Sequence, residues 1–589
     1  MKKKIFAGLL SLCLLATMMP SMAYGATKWD TVKSQKLSTA ITAATKSNTK
    51  LQTNKNAFSK FENLVNKNTA STAGISQAEI NSLLSESQGK DKLTYAEAVS
   101  DVELYFKALK YGYGAYEYFG GDTKFNKAKQ QILNKLSGKS TVSFGTFREY
   151  LKDAMSFVAD TNFSIDGESG TRKYTKDYQY YYNASQKFSK DSKGYYKTLN
   201  GKKWYYKSCS TKNVTMQKSL TTTGDIVYSP VLFCAKANAV KKSTITLVNG
   251  KNKKKETVKW TTSKAFGANE SSLDPDFKYL EKNNIAYISV RNFYSGFGYD
   301  DELSQFVESG TSAQNAEMVI FDIRSCSGGG NSYGSEWIKN FTGDDYVLNE
   351  AYSRIYTALT GETYGKEVYD ININMGYMIK NNIPIIVLVD DQCANMGEYM
   401  LLGLRSLENV IVIGSNSAGD WLAISQGDYT LPNSGLQISF GSSLQFDYQI
   451  KNVDGKGYTP DIWCDPSKAI KSVANMLKKQ KYITSETASY LTSNHSDSYS
   501  QVCIEFVGSS VTPGDGFGRV TEENLNVTYG GEIITDYTVK SSDPSKLLAE
   551  KLSNGKLHLK AIEGKVAEDE SIPITITYKG KEYQYRACC

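Results

Sequence analysis

The sequence predicts a layered α/β core, preceded by a helical domain and a diverged β-rich insert and followed by a small β-sandwich-like module. Three observations carry this. Between Ile285 and Ser472, short apolar runs alternate with helical patterns: Ile285–Val290, Met318–Ile323, Pro384–Val389, Val410–Ile413 and Leu436–Phe440. That is the strand–helix rhythm of stacked βα units. From Thr94, apolar residues at Val99, Val102, Tyr105-Phe106 and Leu109 follow helical spacing. From Gln501 to Cys589 apolar and polar residues alternate, as in Ile572, Ile574 and Ile576.

At 589 residues with 40% hydrophobic content, the chain has room for several domains and enough apolar surface for packed cores. Residues 1–25 read as an export signal: Lys2, Lys3 and Lys4, an apolar stretch from Ile5 to Met19, then Ala23-Tyr24-Gly25 at cleavage spacing. This predicts a secreted, extracellular or envelope-associated protein. No later apolar run reaches membrane length, so no transmembrane span is expected. The net charge of +8 includes those three signal lysines, and the rest are interspersed. Such a balance gives no reason to expect a nucleic-acid partner. No zinc-type Cys/His spacing and no phosphate loop occur, so neither metal nor cofactor is expected.

Residues 26–92, rich in Lys, Ser, Thr and Asn, read as a loosely packed polar helical lead-in. The helical domain spans 93–172. Thr94 is a candidate N-cap with Glu97 at the capping-box position, and further helices are expected over Phe125–Leu136 and Phe144–Phe157. Residues 173–270 are strand-like and turn-rich, with Lys203-Trp204-Tyr205-Tyr206, Val227-Tyr228, Thr244–Val248 and a hairpin turn at Asn249-Gly250. The α/β core spans 271–475. Residues 500–589 form a small β-sandwich, Ig-like in one reading, which either binds partners such as cell-envelope components or spaces domains.

Two segments are the most specific. One is Ala316–Ser332, AEMVIFDIRSCSGGGNS; the other is Ile383–Trp421, IPIIVLVDDQCANMGEYMLLGLRSLENVIVIGSNSAGDW. With Ile413-Gly414 leading to Ala418-Gly419, and the exit Gly457-Tyr458-Thr459-Pro460-Asp461, they resemble the core of the S41 peptidases, the tail-specific and tricorn-like serine proteases. The resemblance covers roughly Thr94–Ser472. It implies a ClpP/crotonase-like layered core, a PDZ-position module over 173–270 and peptide or protein segments as partners.

Mapped residue by residue, the resemblance leaves every catalytic position substituted. The nucleophile position, two residues before Gly397-Glu398, holds Asn395, a carboxamide that cannot serve as an activated hydroxyl. The lysine base of the tail-specific branch falls on Asp420. The histidine base of the tricorn-like branch falls on Asn162, within Asp160-Thr161-Asn162-Phe163. No register slip restores them: no Ser or Thr lies between Thr363 and Ser406, no Lys between Lys380 and Lys451, and no His before His495. Asp454 matches a late carboxylate. Gly328, Gly329 and the Met396 amide match an oxyanion hole, although the glycines also suit a tight strand-to-helix turn.

Three functions follow as expectations. The first is a secreted pseudopeptidase that binds peptide or protein segments without cutting them. The second is a hydrolase with relocated chemistry, using Cys393, or Ser417 with Asp454. The third is a structural envelope protein acting through its C-terminal module. Cys326 and Cys393 both map to the floor of the site, either as a disulfide or as two free buried thiols.

Overall fold

The computed structural model describes residues 29–588 except 55, 69–73, 86, 88, 170–177, 184, 268–273, 297, 331, 346–347, 361–368, 449, 495–501, 507–508, 512–515, 518–519, 530–531, 563 and 567–569. The export signal read in residues 1–25 lies outside the described residues.

A ten-stranded sheet forms the centre. Five neighbouring strands run parallel in the order Ile462–Trp463, Val410–Gly414, Ile385–Val389, Met318–Asp322, Ile285–Ser289. The last four are buried at every position, as expected of parallel strands covered on both faces. Alternation then splits the side chains between two cores. Val319, Phe321, Val387, Val389, Val410 and Val412 face one. Met318, Ile320, Ile386, Leu388, Ile411 and Ile413 face the other.

The first core is covered by the helices Tyr95–Gly112, Asp300–Ala313, Ser332–Thr342 and Met396–Leu404. Tyr95–Gly112 starts with the full capping box: Thr94 Oγ1 accepts the Glu97 N–H, and the Glu97 carboxylate accepts the Thr94 N–H at 2.8 Å. The helices expected near Phe125–Leu136 and Phe144–Phe157 are Gly121–Leu136 and Phe144–Ala154.

The second core is covered by Ala469–Lys479, Ser485–Asn494 and, from the chain's beginning, Leu37–Gln52. The latter corrects the reading of 26–92 as loosely packed. Leu37, Ala40, Ile41 and Ala44 are buried in that core, and Thr45 Oγ1 accepts the Asn409 N–H at 3.0 Å. The helix Ala469–Lys479 also runs continuously through residue 475, the expected end of the core.

The region 173–270 is not a self-contained module. Tyr178–Tyr182, Val214–Leu220, Ile226–Ala235 and Thr261–Thr262 extend the central sheet, with Ser219 bridged in parallel to Trp463. The rest forms a separate five-stranded antiparallel sheet, in which Asn249-Gly250 turns the hairpin between Lys242–Asn249 and Asn252–Lys259. A PDZ-like unit would need its own closed core; here the strand pairing divides the segment between two sheets. The strand expected at Leu436–Phe440 forms as Gln437–Gly441, but in a small antiparallel sheet with Gln426–Thr430 and Ser164–Ile165. From residue 502 onward, a six-stranded and a four-stranded sheet share one core, with Val527 and Leu559 from one and Ile574 and Tyr585 from the other.

Candidate active site

Three turns at the carboxyl ends of adjacent parallel strands meet the loop after Phe144–Ala154. In open α/β sheets this is where ligands sit. The first turn follows Met318–Asp322. Asp322 is buried between Arg291 and Arg324, whose charges hold its carboxyl far below the usual range despite burial. Ser325 then takes φ 56°, its N–H and hydroxyl both donating to Asp390. Gly329 has φ 114°, and a Cβ there would stand 2.1 Å from the Phe293 carbonyl carbon, so the turn requires glycine.

The second turn follows Ile385–Val389 and ends at Asn395, the N-cap of Met396–Leu404. Asn395 has φ 48° and ψ −114°, outside the regions open to an ordinary L-residue, and its side chain makes no capping bond. This is the strained elbow geometry that presents a nucleophile at the start of a helix, here carrying a carboxamide. A Cβ on Gly397 would meet the Cys326 carbonyl oxygen at 2.3 Å and Cys393 Sγ at 2.9 Å, so the elbow is tightly backed.

The third turn, Ser415–Asp420, is fastened to the elbow. The Ala418 N–H donates to the Cys393 carbonyl at 2.8 Å. Glu398, fully buried, accepts from the Ser417 hydroxyl at 2.5 Å, the Gly419 N–H at 3.0 Å and the Asp420 N–H at 2.8 Å. Burial pushes its carboxyl up to about 8 against those three donors.

Asn162 and Asp420, the residues that the sequence reading set at the two base positions, contact each other. Asn162 Nδ2 donates to Asp420 Oδ1 at 2.8 Å and to the Ala423 carbonyl at 2.9 Å. Thr161 links the group further: its hydroxyl lies 2.7 Å from Asp420 Oδ1 and 3.2 Å from Asp454 Oδ2, and its N–H donates to Asp454 at 3.1 Å. Asp454 also accepts the Trp421 and Leu422 N–H groups, each at 3.1 Å. Burial, then the Asp420 charge, push its carboxyl up to about 7. Behind it Asp160 accepts the Tyr113 hydroxyl at 2.6 Å, and burial raises its carboxyl too. A hydrogen-bonded cluster of carboxylates, amides and a threonine thus occupies the place of a base. Among the described residues it holds no imidazole or amine to take a proton from a nucleophile. Beside it opens a cavity of about 680 Å³ whose wall includes Asn162, Asp420, Ala394, Ser327 and Tyr294.

The alternative nucleophiles read from the sequence, Cys393 and Ser417, are both buried. Cys393 is buried, and burial pushes its thiol well above the ordinary range, opposite to what a reactive thiolate needs. Ser417 is buried, donating to Glu398 and accepting the Tyr458 N–H at 2.7 Å, so its hydroxyl is a structural tie and does not touch Asp454's cluster. Cys326 and Cys393 are free thiols, not a disulfide. The Cys326 thiol is likewise buried, and burial pushes it up to about 12.

Thr161 and Glu398 have roles that the sequence did not reveal. Thr161 stands beside Asn162 without any spacing signature. Glu398 was visible only as part of the elbow motif.

Residues 284–464 match the family model of peptidase family S41. No curated protein matches the chain. Among solved structures, mature CPAF complexed with lactacystin is similar at 10% identity, covering 68% of this chain and 99% of that one with a TM-score of 0.33. The photosystem II D1 C-terminal processing protease is similar at 13% identity, 63% and 93% coverage and TM-score 0.32. A lipoprotein from Streptococcus agalactiae is similar at 12% identity, 68% and 97% coverage and TM-score 0.29.

Proposed function

Since residues 284–464 match the family model of peptidase family S41, we propose that the protein is a secreted pseudopeptidase, binding peptide or protein segments in the cavity beside Asp420 without cutting them. The carrying observation is Asn395 on the strained elbow, with φ 48°. The backbone that would aim a nucleophile is kept, and the side chain on it cannot be acylated in the usual way. Asn162 and Asp420 fit the same reading, because they satisfy each other rather than standing ready to accept a proton.

In this role the polar wall selects ligands by hydrogen bonding, and the missing chemistry makes the bound state persist instead of turning over. Export through residues 1–25 would put that binding outside the cytoplasm, and a secreted product beginning at Ala26 is the expected result of N-terminal sequencing.

The test is fluorophosphonate and iodoacetamide labelling of the purified mature protein beside casein turnover, followed by a peptide-library binding screen. No serine label, no turnover and saturable peptide binding are expected. Turnover with a labelled residue would overturn the silent reading and name the nucleophile. Failure of every peptide to bind above background would overturn the binding role.

A further inference from the structure

A second cavity, of about 120 Å³, lies where Val214–Leu220 and Ile226–Ala235 meet the turn after Ile462–Trp463. Its lining shares no residue with the cavity beside Asp420. Two buried donors on its wall lack an acceptor among the described residues: Asn183 Nδ2 and Ser219 Oγ. Their residues are only 9% and 8% exposed. The Asn183 amide orientation is fixed, because its Oδ1 accepts the Ser185 and Gln186 N–H groups, both at 3.0 Å, so the orphaned atom is the nitrogen.

Lys187, half-buried on the same wall, pairs with no carboxylate among the described residues. The Lys468 ammonium sits 2.9 Å from the Tyr182 hydroxyl and 3.1 Å from Asp465. Asp465 is therefore committed: besides Lys468 it accepts the Ser467 hydroxyl at 3.0 Å and the Lys264 N–H at 3.2 Å.

A buried donor without an acceptor costs about 1–3 kcal/mol, and native proteins seldom leave two at one place. Two orphaned donors and an uncommitted ammonium call for a ligand rich in acceptors and negatively charged. The volume admits several waters, or an anion the size of phosphate or a short carboxylate. We propose that this cavity binds a small oxyanion, held by Asn183 Nδ2, the Ser219 hydroxyl and the Lys187 ammonium. Ser219 is the residue bridged to Trp463. An anion there would fasten the β-rich segment to the last parallel strand of the core.

The test is calorimetric titration of the full mature chain with sodium phosphate and, separately, sodium acetate, at constant ionic strength with sodium chloride as control. One saturable equivalent is expected in at least one arm, and the arm that binds identifies the oxyanion. Lys187→Met and Ser219→Ala should each weaken binding by about tenfold or more, whereas Lys202→Met, on an exposed residue, should leave it unchanged. Should Ser219→Ala fail to fold, judged by circular dichroism, Lys187→Met alone decides the outcome. Absence of saturable heat in both arms, or binding indifferent to Lys187→Met, overturns the proposal and leaves the cavity to water.

Discussion

Replacing Asp454 by Asn tests the buried carboxylate cluster directly. Asp454 is 3% exposed, and its carboxyl rises from the ordinary 3.8 to about 7 on folding. Between those values the folded chain holds one proton more than the unfolded chain. The group's contribution is therefore complete below about pH 4, falls as pH rises, and is gone once pH passes about 7. At about 1.4 kcal/mol per pH unit, a shift of roughly three units amounts to about 4 kcal/mol. The carboxamide of the variant would not titrate. It would offer one oxygen either to Trp421 and Leu422 or to Thr161, not to both, which costs about 1–3 kcal/mol. Asp454→Asn should thus be less stable than wild type at pH 5, with the gap closing or reversing by pH 8. Urea unfolding of both proteins across that range gives the difference in slope, to which Asp454 contributes together with Asp160, whose carboxyl the Asp454 charge helps to raise. An infrared titration gives the protonated carboxyl band that the variant lacks. Parallel slopes for the two proteins, or a carboxyl band already lost at pH 5, would refute the reasoning.

Three further outcomes are expected. Asn395→Gly should raise stability by about 1 kcal/mol in chemical denaturation, because glycine relieves the strained backbone at φ 48°. Ser417→Ala should lower it by about 2 kcal/mol, since the Tyr458 N–H and one Glu398 oxygen each lose a buried partner, as a thermal melt will show. Cys326 and Cys393, both fully buried and unpaired, should resist a thiol reagent in the native protein and react on unfolding.

The core strands were legible because each is a run of large apolar residues, and the signal of burial on both faces is local. Thr94 and Glu97 were legible for the same reason: the capping box closes within three residues. The helix Leu37–Gln52 was not, because its buried face has only Leu37 and Ile41 as large apolar residues and continues through Ala40, Ala44, Asn48 and Gln52 among lysines and threonines. The fate of 173–270 was hidden because its strands are recruited from a distance, as Ser219 is to Trp463, and no local pattern encodes such a partner. At the site, Asn395, Asn162 and Asp420 were assigned to the elbow and base positions through motif order, and the structure brings Asn162 and Asp420 into contact. What motif order could not supply was the function of the residues between: Thr161 as the link between two carboxylates, and Ser417 as a tie to Glu398 rather than a nucleophile.

The helix Leu37–Gln52 is made well before its seat, which belongs to the later parts of the core. The Asn409 amide that bonds Thr45 lies 364 residues further along, and Ile411, Ile413, Val473 and Leu477 share its core. Contacts so distant form late, after the intervening chain has been organised. Until then the strip of Leu37, Ala40, Ile41 and Ala44 is uncovered, and the nascent molecule is at its most prone to association. The helix is therefore expected to dock late, and its protection from hydrogen exchange should be the last to appear as the core assembles.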